Sequence, residues 1–207
     1  MAASVMPLAE QERDDLAELL HALEPAEWSE PTLCEGWTVR DVVAHVLSYE
    51  ERGPANVVRT FARGRGSFDR ANDVAMADYA HHGPDELLAL LDRSRRPRGL
   101  TTMFGGRIAL TDGTIHHQDI RRSLGRPRTI PAERLTAVLD FARSAPPLRS
   151  SARIRGLRLR ATDLDWSTGE GDEVSGPAEA LLMAIAGRAA ALDELTGPGL
   201  ATLAARP

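Results

Sequence analysis

Asp112 and His116 stand four residues apart in "LTDGTIHHQDIRRSLG" (110–125), and on a helix that spacing sends both side chains off one face on successive turns. A carboxylate and an imidazole so placed can converge on one divalent ion, by the geometric logic of a His-x-x-x-His pair. The same residues also describe an ordinary helix, with an acid in the first turn facing the dipole and a histidine at the surface. A metal needs a third ligand from elsewhere, and the candidate is His45 in "TVRDVVAHVLSYEERG" (38–53). It falls off the centre of the stripe Val39, Val42, Val43 and Val46, on a ridge with Asp41 and Tyr49. From that flank a side chain can enter a groove between helices, where bundle metal sites are built. A solvent-facing or hydrogen-bonded histidine is the competing reading.

The elements that must position these residues are mostly helices. "PLAEQERDDLAELLHAL" (7–23) has apolar residues at helical spacing. The helix from 38 opens on Thr38 as N-cap with Asp41 three residues on, an acidic form of the capping box, and closes at Gly53-Pro54. A further helix starts within 54–63, and Ser67 caps another through about residue 80. "GPDELLALLDRSR" (83–95) and "PAERLTAVLDFAR" (131–143) each carry proline at or near a first turn. The histidine stretch lies between them and closes at Gly125.

Composition then shifts. "SAPPLRSSARIRG" (144–156) reads as a linker. After it Leu157, Leu159 and Ala161 alternate with Arg158, Arg160 and Thr162, the period-two pattern of a strand, with glycine turns at 169 and 171. "PAEALLMAIAGRAAALDEL" (177–195) is an apolar helix broken only by Gly187. The fold class predicted is mainly α, a helical domain over 1–145 followed by a small α+β domain over 152–207. Two or three short strands are marginal alone, so the C-terminal unit is expected to close over the groove of the helical one.

Charge and cysteine content exclude several classes. The net charge of −5 and pI near 5.7 lack the basic excess of a nucleic-acid binder. The basic cluster "RSRRPRG" (93–99) reads as a Pro/Gly-bounded loop. All 25 basic residues are arginine, a codon-bias sign of a GC-rich genome. No apolar run is long enough for a bilayer span, and the N-terminus has no signal-peptide pattern. A single cysteine, Cys34, fits a reducing cytoplasm. The expectation is a cytoplasmic protein, monomer or homodimer, with neither nucleic acid nor membrane as partner.

"WSEPTLCEGWTVRDVVAHV" together with "DGTIHHQDIRRSLGRP" resembles the DinB-like superfamily, and within it the actinobacterial mycothiol-dependent maleylpyruvate isomerase family. "ATDLDWSTGEGDEVSGPAEALLMAIAGR" is similar to that family's small C-terminal domain. The resemblance implies a DinB-like four-helix bundle and a zinc ion held by a histidine of the second helix and a Glu-x-x-x-His pair of a later one. Those positions fall on His45, Asp112 and His116, with aspartate in place of glutamate. The implied metal is divalent, zinc or alternatively nickel. Three protein ligands leave a position open, as in catalytic zinc. Zinc-bound water would make a hydrolase. A thiol held as thiolate would make an isomerase or a conjugating transferase, and the family implies mycothiol as cosubstrate with a small electrophile as substrate. A non-catalytic metal-binding module is the third possibility.

Other residues rank lower. Cys34, ahead of the Gly36-Trp37 turn, reads as packing. Asp119 could hydrogen-bond a ligand histidine, or pair with Arg121 or Arg122. His117 points about 100° away from His116 and reads as surface. His81 and His82 form a helix C-terminal turn, and His21 suits a helix end. Trp28, Trp37 and Trp166 read as core anchors. Arg188 is the candidate for binding a carboxylate of the cosubstrate, because the family uses an arginine of its C-terminal domain there.

Overall fold

The computed structural model describes residues 4–49, 59–60 and 62–206. The chain divides into two compact units, Met1–Pro127 and Arg128–Pro207. In the first, α1 (Met6–His21), α2 (Val39–Leu47), α4 (Pro84–Arg93) and α5 (Arg107–Ser123) pack together as a four-helix bundle, with α3 (Phe68–Ala77) against α2. Leu16, Leu20, Val42, Val43, Leu47, Leu87, Leu91 and Ile120 meet in its core. Burying each of these side chains contributes about 1.5–3 kcal/mol.

Local chemistry sets the helix ends. The Thr38 hydroxyl accepts from the Asp41 amide while the Asp41 carboxylate accepts from the Thr38 amide, so the capping box read from the sequence is present. Ser67 caps α3 by accepting from the Arg70 amide. Gly125 closes α5 at a φ of 63°, the left-handed geometry that suits glycine after a helix. Helix α2 ends at Leu47, earlier than Gly53-Pro54; residues 50–58 and 61, where the next helix was expected to begin, lie outside the described residues.

Helix α5 starts at Arg107, earlier than the histidine stretch suggests. The preceding Gly99–Gly106 is a 3₁₀ segment interrupted where Phe104, Gly105 and Gly106 take left-handed conformations. Asp112 therefore sits in the second turn, away from the helix-end dipole that the first-turn reading invoked. The helix is buried from Ala109 to Ile120 except at Asp112. A helix buried on all sides is a central one, and α5 packs on both α1 and α2.

The second unit begins at Arg128, so the helix read at 131–143, observed as α6 (Ala132–Ala142), groups with the C-terminal elements. The stretch 144–156 is structured rather than an open linker. It forms a 3₁₀ turn and α7 (Ser150–Arg153), with the buried Ser150 hydroxyl donating to Ala142 O. The buried Arg153 guanidinium donates to Leu148 O and Ile185 O. A three-stranded sheet follows: β1 (Leu157–Ala161), β2 (Ser167–Gly169) and β3 (Asp172–Gly176), ordered β2-β1-β3. β1 is antiparallel to β2 and parallel to β3, with Leu159 opposite Val174. Leu157, Leu159 and Ala161 face inward, as their alternation predicts. α8 (Ala178–Ile185) packs on the sheet and on α6, and stops at Gly187, whose φ of 86° turns the chain into a 3₁₀ segment. A short α9 (Leu200–Ala204) ends the unit.

No helix among the described residues is long and apolar enough to cross a membrane. Two arginines of the basic stretch 93–99 are matched by acids: Arg95 with Asp14 and Asp92, and Arg96 with Glu10.

Candidate metal centre

His45 leaves the last turn of α2 into the groove facing α5, where Asp112 and His116 emerge one turn apart. His45 Nε2 and His116 Nε2 each lie 3.6 Å from Asp112 Oδ1. That separation exceeds a hydrogen bond. It is close to the spacing of donors around one tetrahedral ion, because metal–ligand bonds of about 2.1 Å put neighbouring donors about 3.4 Å apart. Among the described residues, one donor atom from each of the three lies within 4.8 Å of the others. The two imidazoles and one carboxylate fit a borderline divalent cation such as zinc.

Burial and charge reinforce the geometry. The side chains of His45 and His116 are 7% and 11% exposed, against 38% for Asp112, so the cluster opens to solvent on the carboxylate side. Burial opposes ionisation of Asp112, but His116, His45 and Arg13 outweigh it and hold the carboxyl below the ordinary range. Burial likewise opposes charge on His116, yet Asp112 first, then the hydrogen bonds to Asp119 and Cys34, push it up to about 10. The metal-free groove is thus an imidazolium beside a carboxylate, an arrangement a dication can replace.

Around these three side chains the structure adds contacts to the sequence readings. Trp37 packs against the core, and its ring also lies 5.0 Å from that of His45 and 6.3 Å from that of His116, forming a wall of the site. Trp28 and Trp166 are buried as expected, the latter donating to Asp140 Oδ1. Cys34 does border the core, but its Sγ also lies 3.0 Å from Asp119 Oδ2 and 3.5 Å from His116 Nδ1. Asp119, wholly buried, is 3.0 Å from His116 Nδ1. This oxygen orients the ring and leaves Nε2 for the ion.

His117 is the largest departure. It is completely buried rather than on the surface, with Nδ1–H donating to Glu12 Oε1 at 2.7 Å and Nε2 accepting from Arg121 Nε at 2.7 Å. A signal for it existed in α1. The inward stripe Val5, Ala9, Leu16, Leu20 runs through Glu12 and Arg13, both 3% exposed. Charged residues in core-facing positions require a buried partner. His21 pairs with Asp92, as its helix-end position allows, and the backbone of the His81-His82 turn accepts from Arg40 through Ala80 O and His82 O. Arg188 follows Gly187 in the second unit, where its Nη1 donates to Ala186 O.

Residues 9–99 match the family model described as the mycothiol maleylpyruvate isomerase N-terminal domain. The match contains the Cys34–Trp37 turn and His45, and ends before α5. The fold is similar to two solved structures, a mycothiol-dependent maleylpyruvate isomerase and a histidine-to-alanine mutant of it. Each aligns with a TM-score of 0.55 at 15% identity, covering 93% of this chain and 91% of the other. At that identity the likeness is one of fold. A search of curated proteins found no match. The family-model match runs from α1 through α4, and over that stretch the chain is similar to the mycothiol maleylpyruvate isomerase N-terminal domain.

Proposed function

We propose that the protein is a metal-dependent enzyme that uses a low-molecular-weight thiol, mycothiol, to isomerise a small electrophile or to form a C–S bond with it. The observation that carries this reading is the set of three donors at ion-like spacing on facing helices, open to solvent beside Asp112. His45, Asp112 and His116 would hold the ion, zinc in the first instance. Bound there, zinc supplies the charge that keeps a thiol ionised at neutral pH, where a free thiol of pKa near 8.5 is only a few per cent thiolate.

The chain's own residues do the rest. Asp119 holds His116 in the tautomer that presents Nε2. Trp37 and Tyr49, in ring contact with His45, bound the space where an unsaturated substrate would stack. In isomerisation the thiolate adds to an activated double bond, the resulting single bond rotates, and the thiolate leaves unchanged. In conjugation the C–S bond stays and the adduct takes up a proton. Both use an external thiol, because the chain's single thiol, Cys34, donates to Asp119.

Turnover of an activated cis-alkene should require both metal and added mycothiol and be abolished by a chelator. Full turnover in thiol-free buffer with metal present would overturn the thiol reading in favour of hydrolysis by metal-activated water.

A further inference from the structure

Two triads share His116. His45, Asp112 and His116 converge through Nε2, whereas Cys34, Asp119 and His116 converge through Nδ1. Their spacings differ in kind. The first has donors 3.6 Å apart, wider than a hydrogen bond. In the second, Asp119 Oδ2 lies 3.0 Å from both Cys34 Sγ and His116 Nδ1. A zinc–sulfur bond of about 2.3 Å and a zinc–oxygen bond of about 2.0 Å would hold sulfur and oxygen about 3.5 Å apart. The second triad has the spacing of hydrogen bonds and acts on the first.

We infer that Cys34 is a positioning residue of the metal centre, whose S–H donates to Asp119 and through it fixes the tautomer and rotation of His116. This rests on the metal reading above. Asp119 is wholly buried, and one of its oxygens takes both the thiol and the imidazole proton, so each donor offsets part of a charge that no water solvates. With Nδ1–H committed, Nε2 remains for the ion. The thiol is itself held in place: the Cys34 amide donates to Thr32 Oγ1, and the Trp37 amide donates to Cys34 O across a turn whose Gly36 has the φ of 76° that a type II turn requires. The relay thereby couples the turn carrying Trp37 to the ligand on α5.

The test is cobalt titration of the full-length protein, reading affinity and the visible d–d spectrum. Removing an outer-shell partner typically weakens metal binding 10–100-fold, and Cys34 acts one bond further out. Cys34→Ala should therefore weaken cobalt binding about 3–10-fold and shift the spectrum, while Cys34→Ser, which keeps a donor, should bind within about twofold of wild type. If melting of the metal-free protein shows Cys34→Ala unfolded, Cys34→Val fills the thiol's volume without a donor and takes its place. Unchanged affinity and spectrum in the donor-less variant would overturn the inference while leaving the metal centre intact, as would Cys34→Ser behaving like Cys34→Ala. A wild-type protein that binds no cobalt would overturn the metal reading itself, and this inference with it.

Discussion

His116 and His117 are adjacent in sequence, both buried, and each faces a carboxylate, yet the two sides of α5 do different work. On the His116 side Nε2 lies 3.6 Å from Asp112, one turn back on the same helix, and the cluster opens to solvent at Asp112. On the His117 side Glu12 and Arg121 each sit at 2.7 Å, and the pair is sealed between α1 and α5. A satisfied hydrogen-bond network rigidifies a core. A set of donors held just beyond hydrogen-bonding distance has room for an ion. The difference teaches that spacing, more than residue type or burial, separates the candidate metal centre from a structural histidine.

The comparison breaks most visibly at the ligands. His45→Ala should reduce bound metal from one ion per chain to a background level, and Asp112→Asn should weaken binding by on the order of 100-fold or more, beyond the range of outer-shell changes; both are read by elemental analysis after gel filtration. Neither should unfold the bundle, because the packed core lies beneath them.

On the other face the larger loss should be in stability. His117→Ala removes the Nδ1–H donor from the buried Glu12 carboxylate, at a cost of about 3 kcal/mol in chemical denaturation, while metal content is retained. A variant that loses metal and keeps its stability would reverse the assignment of the two histidines.

Protonation separates the faces next. In the metal-free protein the His116 pKa is raised to about 10, above the ordinary histidine value, so at neutral pH the ion must displace a proton. Apparent metal affinity should then rise about tenfold per pH unit from pH 7 to 9 and level off near pH 10, since displacement is needed only below the folded pKa. A flat isothermal-titration profile over that range would contradict the imidazolium–carboxylate arrangement. The smallest expected effect is at Arg121. Arg121→Met removes the hydrogen bonds to His117 Nε2 and to Arg126 O and should cost about 1–2 kcal/mol with no change in metal affinity.

What could be read in advance was what is local. Thr38 and Asp41 announce a capping box, Ser67 an N-cap, and Leu157, Leu159 and Ala161 a half-buried strand, because each depends on neighbours within a turn or two. The Asp112–His116 spacing is equally local. Burial of His117 was not legible from α5 alone, since it depends on α1 docking there with Glu12 pointing inward. The contact of Cys34 with Asp119 spans 85 residues of chain, and no periodicity encodes it. The first turn of α5 was misplaced because three successive left-handed residues, only two of them glycine, end the segment before it. The stretch 144–156 resembled a linker by composition, although Ser150 and Arg153 use their polar groups to satisfy buried carbonyls.

The most direct test is metal stoichiometry by elemental analysis of wild type, His116→Ala and His117→Ala, purified side by side and confirmed folded by circular dichroism. The predicted result is one divalent ion per chain in wild type and His117→Ala, and none in His116→Ala. Equal metal content in all three proteins would contradict the assignment of His45, Asp112 and His116 as the metal centre.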